Sequence, residues 1–339
     1  MSTKEQVLKY LQENKEDYVS GGFLSEELGV SRNAIWKAIN SIKKDGIMID
    51  AISNKGYRIV SSVDVISKDA IKKYLNDGNI RVEVFDSLDS TNTYLKEKGA
   101  HGESEGLLVV AKEQTRGKGR MNRAFSSPKN GGVYFSLLLR PSINPNEALF
   151  ITTIAAVAVV TAIKKVTSKE AKIKWVNDVL LDDKKVCGIL TEGSISMENG
   201  SLDYAVVGIG INVREPEGGY GDEIKKIAGP VINGEDIEDV SSKLVAETVN
   251  EFMKYYNKLP EKDFLKAYKD KSIVLGKEVY IIDSNHGSLG TTSEIVSKYG
   301  DSLETAKVID IDDNLGLVVK KKDGELETLR SGEVSVRTK

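Results

Sequence analysis

Hydrophobic and polar positions change their period along the chain, and those changes divide it. Near the start, Val7, Leu8 and Leu11 fall on one side of a helix. The Gly21-Gly22 turn and Ser25, a residue type that caps helix N-termini, predict a short helix over Glu26, Glu27 and Leu28. Gly29-Val30 makes the next turn, and Ser31 is placed to cap a helix reaching about Lys44, whose apolar face is Ile35, Ala38, Ile39 and Ile42. Residues 47–59 then alternate around Asn54-Lys55-Gly56, the pattern of a hairpin tip. Helices joined by a short glycine-containing turn and followed by a hairpin are the layout of a winged helix-turn-helix.

Residues 61–68 read as a linker. Beyond it the apolar runs at 107–111, 133–139, 186–190 and 205–213 predict strands, while 148–166 and 244–256 predict helices. Strands and helices do not alternate regularly, so a mixed-sheet α+β domain is expected rather than a doubly wound one. From about Ser272 only short strands are expected, between turn signals at Asp283-Ser284-Asn285, Asp312-Asp313-Asn314 and Asp323-Gly324. A small β-barrel is the economical arrangement for them. The expected organisation is a multidomain α+β chain, with domains at 1–62, 63–271 and 272–339.

The 339 residues have room for two or three domains, and 40% hydrophobic with 29% charged residues suits globular cores throughout. A net charge of −3 argues against nucleic-acid binding over the whole surface. Locally the balance reverses. Residues 31–58 carry six basic side chains (Arg32, Lys37, Lys43, Lys44, Lys55, Arg58) against Asp45 and Asp50. Arg32, Asn33, Lys37, Asn40 and Lys44 lie away from the apolar stripe, and Lys55 and Arg58 decorate the wing. A DNA-binding face is the favoured reading, with a protein-interaction winged helix as the alternative.

A single cysteine, Cys187, excludes an internal disulfide, and with only His101 and His286 no metal site is expected. The N-terminal Met-Ser-Thr-Lys-Glu-Gln lacks the apolar segment of a signal peptide. Residues 148–163 are uncharged but short for a bilayer and contain three threonines, so a buried helix is expected. The chain is therefore expected in the cytoplasm, without a membrane partner.

The chemistry concentrates in four clusters. Residues 114–123, Gln-Thr-Arg-Gly-Lys-Gly-Arg-Met-Asn-Arg, pack four cations and two glycines into a loop. Glycine lets backbone N–H groups approach a ligand, and arginine and lysine supply charge and donors. Such a loop suits an anion beside something flat and neutral, or else is a solvated basic turn. Ser90-Thr91-Asn92 precedes a helical run; it can cap that helix, hold a neutral polar ligand head, or do both. Lys174-Trp175-Val176-Asn177-Asp178 brings a cation, an aromatic plane, an amide and a carboxylate together, or is a buried tryptophan before a polar turn. Lys185-Val186-Cys187-Gly188-Ile189-Leu190 with Glu192, and Gly208-Ile209-Gly210-Ile211-Asn212, place glycines inside apolar strands, where another group comes close. Cys187 reads as a packed strand residue. No Walker loop, kinase signature, dinucleotide fingerprint or Ser-His-Asp set occurs. The pattern suits catalysis by positioning and charge neutralisation at a phosphate.

In that order, Ser90-Thr91-Asn92, Gln114 with Gly117-Lys118-Gly119-Arg120, Lys174-Trp175-x-Asn177-Asp178, Lys185-x-x-Gly188-Ile189-Leu190 and Gly208-x-Gly210-x-Asn212 resemble the motifs of biotin–protein ligases. With the winged helix, the chain resembles the bifunctional form that also represses biotin synthesis genes, and Ser331-Gly332-Glu333-Val334 fits that family's small SH3-like barrel. The resemblance implies a central biotin/lipoate-ligase-like domain that joins biotin and Mg-ATP into biotinyl-adenylate. Biotin then passes to a lysine of the biotin carboxyl carrier protein of acetyl-CoA carboxylase or a similar carboxylase.

By the same resemblance Ser90, Thr91, Asn92, Gln114, Lys118, Gly119, Arg120, Lys185 and Gly188 bind biotin. Gly117, Lys118, Arg120, Arg123, Asn177 and Asn212 take ATP or the adenylate, and Lys185, Arg120, Asp178 and Lys174 carry the chemistry. Arg32, Asn33, Lys37, Asn40 and Lys55 meet operator DNA, and adenylate binding favours a homodimer. The chain departs from the family at Met121 and Asn122, where Arg-Gly is common, at Phe125 for a tryptophan, and at Val176 for a proline. Two other readings stay open: a biotin-sensing regulator without ligase activity, and a lipoate ligase. Retention of Lys174, Asp178, Lys185 and Arg120 speaks against the first. The winged helix and the lack of an Arg-Arg-x-Gly-Gly-Gly turn speak against the second.

Overall fold

The computed structural model describes residues 2–15, 17–44, 47, 49–53, 55–59, 64–196, 198, 200–235, 237–283, 292–299, 303–330 and 334–338. It divides into two compact units, Met1–Ile66 with Gly234–Ser242, and Ser67–Asn233 with Lys243–Lys339.

In the first unit α1 (Thr3–Glu13) opens on a capping box, in which Ser2 Oγ accepts from the Glu5 N–H and the Glu5 carboxylate accepts from the Ser2 N–H. Helix α2 (Gly21–Glu27) begins earlier than the sequence suggests. Ser20, in extended backbone, caps it by accepting from the Phe23 N–H at 3.1 Å. The glycine pair is therefore its first turn, and Ser25 lies inside it, donating its hydroxyl to the Val30 carbonyl. Helix α3 (Arg32–Lys44) is capped by Ser31, which accepts from the Ala34 N–H at 3.2 Å.

Ile35, Ala38, Ile39 and Ile42 of α3 are all buried against Val7, Leu11 and Leu24. Each fully buried isoleucine contributes about 1.5–3 kcal/mol. Strands β1 (Ile49–Ile52) and β2 (Gly56–Ile59) pair antiparallel and close the core with Ile49 opposite Ile59. Gly56, at φ 113°, lies so near Val19 that a Cβ would stand 2.2 Å from its carbonyl oxygen. That approach lets Tyr57 and Val19 exchange two backbone hydrogen bonds of 2.9 Å. Asn54, at the expected hairpin tip, lies outside the described residues.

The second unit runs through α4 (Lys68–Tyr74), β3 (Arg81–Phe85), α5 (Thr91–Ala100), β4 (Leu107–Ala111), β5 (Gly132–Leu139), α6 (Ala148–Thr167), β6 (Lys172–Lys174), β7 (Asp178–Leu181), β8 (Lys184–Ile195) and β9 (Leu202–Asn212). The seven strands form one sheet in the order β3-β4-β5-β9-β8-β7-β6, parallel only between β3 and β4. This is the mixed sheet expected from irregular alternation. All eight residues of β5 are buried, as in a strand covered on both faces. Helix α5 packs on β4, β5 and β9, with Leu95 among Leu107, Val109, Leu138 and Val206.

Among the described residues α6 alone is long and apolar enough to cross a bilayer, and Ile151, Ile154, Ala155, Ala158 and Val159 are fully buried within the unit. After α7 (Asp222–Ile227), α8 (Val240–Tyr256) and α9 (Phe264–Lys271) comes a second sheet. Its strands β10 (Glu278–Asp283), β11 (Glu304–Ile311), β12 (Leu317–Lys321), β13 (Leu326–Leu329) and β14 (Val334–Thr338) are antiparallel, in the order β13-β12-β11-β10-β14.

The turn signals at 312–314 and 323–324 join β11 to β12 and β12 to β13. The signal at 283–285 runs into residues outside those described, as do Ser331, Gly332 and Glu333. A helix, α10 (Thr292–Tyr299), stands where only strands were expected. Glu294 in its first turn and Lys298 in its last match the helix dipole.

Candidate active site and nucleic-acid face

One cavity of about 460 Å³ opens on the sheet of the second unit, where β8 and β9 pass the start of α5. Ser90, Thr91, Asn92, Gln114, Lys118, Gly119, Arg120, Asn177, Lys185 and Gly188 all line it, together with Phe125, Ile189, Leu190, Gly208, Ile209 and Gly210. Residues spread over more than a hundred positions thus converge. Helix α5 delivers the first three: Ser90 caps it, its Oγ accepting from the Thr93 N–H at 3.4 Å, while also facing the cavity. Cap and cavity wall are the same residue.

The polar end of the cavity is a connected hydrogen-bond network. Gln114 Oε1 accepts from the Thr91 N–H at 2.9 Å, and its Nε2 donates to Ser127 Oγ at 3.0 Å. Thr91 Oγ1 lies 2.7 Å from Ser136 Oγ, which donates to Asn92 Oδ1 at 2.6 Å. Ser127 and Ser136 were not anticipated. The only signal for Ser136 was a lone serine in the otherwise apolar run of β5.

The strand glycines make room. A Cβ on Gly208 would stand 2.0 Å from Asn92 Oδ1, and one on Gly210 would stand 2.4 Å from the Phe125 ring. Gly188 pairs with Gly210 across the strands and would meet the same ring at 2.9 Å. The floor under Phe125 is therefore bare backbone, as close approach requires.

The charged end gathers at the turn between β6 and β7. Lys185 Nζ lies 2.6 Å from Asp178 Oδ1, both half-buried. Arg120 Nη1 donates to Asn177 Oδ1 at 3.0 Å, and Asn177 Nδ2 donates to the Ile189 carbonyl at 3.0 Å. Burial pushes the Arg120 guanidinium below its ordinary pKa, against the opposing pull of Asp178. The turn is anchored from behind: buried Trp175 donates its Nε1–H to the Leu315 carbonyl at 3.0 Å, and Tyr268 donates to the Val176 carbonyl at 3.1 Å. The glycine loop folds on itself, with hydrogen bonds from Gly119 N to Arg123 O and from Phe125 N to Gly117 O. Met121 occupies left-handed backbone at φ 55° with its side chain 57% exposed.

Five anticipated residues stand off the lining: Asp178, which reaches it through Lys185, and four others. Gly117 lies under Phe125 and Ser127, Lys174 is half-buried in β6, Arg123 ends the loop, and Asn212 donates to the Lys185 carbonyl at 3.2 Å. Cys187 is fully buried, which pushes its thiol pKa well up, as for an inert packed residue.

In the first unit Arg32, Asn33, Lys37 and Lys55 are exposed and Asn40 is half-buried. Arg58 instead stacks on the Tyr18 ring at 4.5 Å and reaches Asp50, its cross-strand partner, at 3.9 Å. Among these polar side chains, at helical spacing from Arg32 and Asn40, stands Trp36, 57% exposed. Its place between Ile35 and Lys37 hid it among the core positions.

Residues 84–212 match the profile of the Biotin/lipoate A/B protein ligase family, and residues 3–58 match an HTH domain. The bifunctional ligase/repressor BirA of Bacillus subtilis is 38% identical over 214 residues, which span 62% of this chain and 65% of that protein. BirA of Escherichia coli is 30% identical over 58% of this chain and 60% of its own length. Each alignment covers less than two thirds of the relative. A biotin protein ligase from Aquifex aeolicus, solved with biotin and ATP, superposes with a TM-score of 0.57 at 28% identity, over 76% of this chain and 99% of that one.

Proposed function

We propose that this chain, whose residues 84–212 belong to the biotin/lipoate A/B protein ligase family, is a biotin–protein ligase that also binds operator DNA as a repressor. The observation that carries the catalytic reading is that one cavity is polar and neutral at one end and cationic at the other. A ureido head with an acidic tail, joined to a nucleotide phosphate, is a ligand of that polarity.

In the first step a biotin carboxylate oxygen attacks the α-phosphate of Mg-ATP and pyrophosphate leaves, giving biotinyl-adenylate. In the second, a carrier lysine amine attacks the acyl carbon, forming an amide and releasing AMP. Ser90, Thr91, Asn92 and Gln114 hold the head, with Gly188 as floor. Lys118, Gly119 and Arg120 close over the acyl end. Lys185 stands between carboxylate and phosphate, exchanging its contact with Asp178 for the incoming anions and offsetting their repulsion.

Asn177 and Arg120 flank the nucleotide, Gly117, Arg123 and Asn212 support it from outside the lining, and Asp178 and Lys174 lie toward the attacking lysine. Arg32, Asn33, Lys37, Asn40 and Lys55, with Trp36 at their centre, meet operator DNA. We read the chain as three domains, 1–62, 63–271 and 272–339, the last an SH3-like barrel. We read it as a cytoplasmic protein that dimerises when adenylate binds. Incubation with biotin, Mg-ATP and the carrier domain tests the catalytic reading: the carrier gains one biotinyl group on a lysine, and an unlabelled carrier would end it.

A further inference from the structure

Glu192 lies two residues beyond the cavity-lining stretch of β8 and is not among the lining residues. It lines an adjoining cavity with Arg120, Ile189 and Leu190, and its carboxylate enters the polar network from that side. Glu192 Oε2 accepts from Asn92 Nδ2 at 2.9 Å, and Oε1 accepts from Lys96 Nζ at 2.5 Å. Burial alone would raise its pKa; the hydrogen bonds from Lys96 and Asn92, with the charges of Lys96 and Lys118, outweigh that and hold it below the usual carboxylate range. Asn92 Nδ2 has a second acceptor in the Leu190 carbonyl at 3.2 Å. Both amide hydrogens are thus committed inside the protein, and the amide is fixed with Oδ1 on the far side.

The consequences run along the network. Asn92 Oδ1 accepts the Ser136 hydroxyl proton, so Ser136 Oγ accepts from the Thr91 hydroxyl at 2.7 Å, and the Thr91 proton also points inward. What Asn92 and Thr91 offer the cavity is lone pairs only. Ser90 Oγ accepts from the Thr93 N–H and keeps its own proton for a ligand acceptor. Two acceptors beside one donor fit a cyclic urea with N–H groups and a carbonyl. They do not fit a dithiolane ring, which has no N–H to give.

We infer that Glu192, held by Lys96, is the positioning residue that turns the Asn92 oxygen toward the ligand and so makes the cavity select an N–H donor. This rests on the biotin reading above and deepens it.

The test is a double-mutant cycle on the full chain, following biotin-dependent pyrophosphate release with biotin and ATP varied separately. Glu192→Gln raises KM for biotin about tenfold, as expected when a committed buried polar group loses its partner, with KM for ATP unchanged and kcat within about threefold. Asn92→Ala has a similar effect, and the double variant is no worse than Asn92→Ala alone. Lys96→Ala, made at a partly exposed position, provides a second route: it raises biotin KM in the wild type and has no effect in the Asn92→Ala background.

Effects that add in the double variants, or that fall equally on ATP, assign Glu192 a general structural role and overturn the inference. Biotin methylated on the ureido nitrogens separates the two claims further. Wild type discriminates against it by at least about tenfold and Asn92→Ala loses part of that discrimination, the Thr91 acceptor keeping the rest. Equal discrimination by both would also overturn the inference. A wild type that turns over no biotin would instead overturn the functional reading itself.

Discussion

The two basic regions of this molecule use the same residue types in opposite ways. Of the cations lining the cavity, Lys185 meets Asp178 and Arg120 meets Asn177, each half-buried and at hydrogen-bond distance, while Lys118 is exposed; just outside the lining Lys96 meets Glu192 in the same way. On α3 Arg32 and Lys37 stand exposed beside the exposed Trp36, and Lys55 stands exposed on the wing. An engaged, partly desolvated cation acts on a ligand at one defined place, and its loss is felt steeply. An exposed cation acts through a screened field on a polyanion, and its loss is shallow and salt-dependent. Local charge density alone does not distinguish the two sites. Partners and burial do.

Lys185→Ala has the largest effect: biotin-dependent pyrophosphate release slows about 100- to 1,000-fold. Stopped-assay pyrophosphate measurement checks it, and a wild-type rate would remove Lys185 from the chemistry. Arg32→Ala weakens operator binding about tenfold or more in a gel-shift titration and leaves ligation at the wild-type rate. A matching loss of ligation would mean that the two regions are not separable in this way.

Gly208→Ala places a Cβ against Asn92 Oδ1, where only 2.0 Å is open, and raises KM for biotin about tenfold. An unchanged KM would show that the Asn92 position is not critical. Lys37→Ala has the smallest effect, lowering operator affinity a few-fold and reducing the salt slope by about one. Trp36 gives an optical check on the same face. Of the two tryptophans Trp175 is buried and Trp36 exposed, so operator DNA should quench and shift the exposed component. Unaltered emission at saturating DNA would take Trp36 off the interface.

Much of this was legible in the sequence, for reasons that differ by element. The apolar face of α3 and the runs that became β4, β5, β8 and β9 were readable because burial imposes a period. The cavity motifs were readable because glycines, cations and small polar residues sit together within short stretches. The start of α2 was misplaced because Ser20 and Ser25 are equally good caps, and only the backbone at Ser20 decides between them. Ser136 and Lys96 were missed because their partners are distant in sequence, Asn92 for the first and Glu192 for the second. Such pairings leave no local pattern. Trp36 was missed because an aromatic beside a core isoleucine looks like core until its exposure is known.

The most direct measurement is biotin-dependent exchange of labelled pyrophosphate into ATP by the full chain, without carrier or DNA. It reports whether the cavity joins an acid to the α-phosphate, which is the step on which both proposed activities depend. Rapid exchange with biotin and none with lipoate is the predicted result. No exchange with biotin, or equal exchange with lipoate, would contradict it.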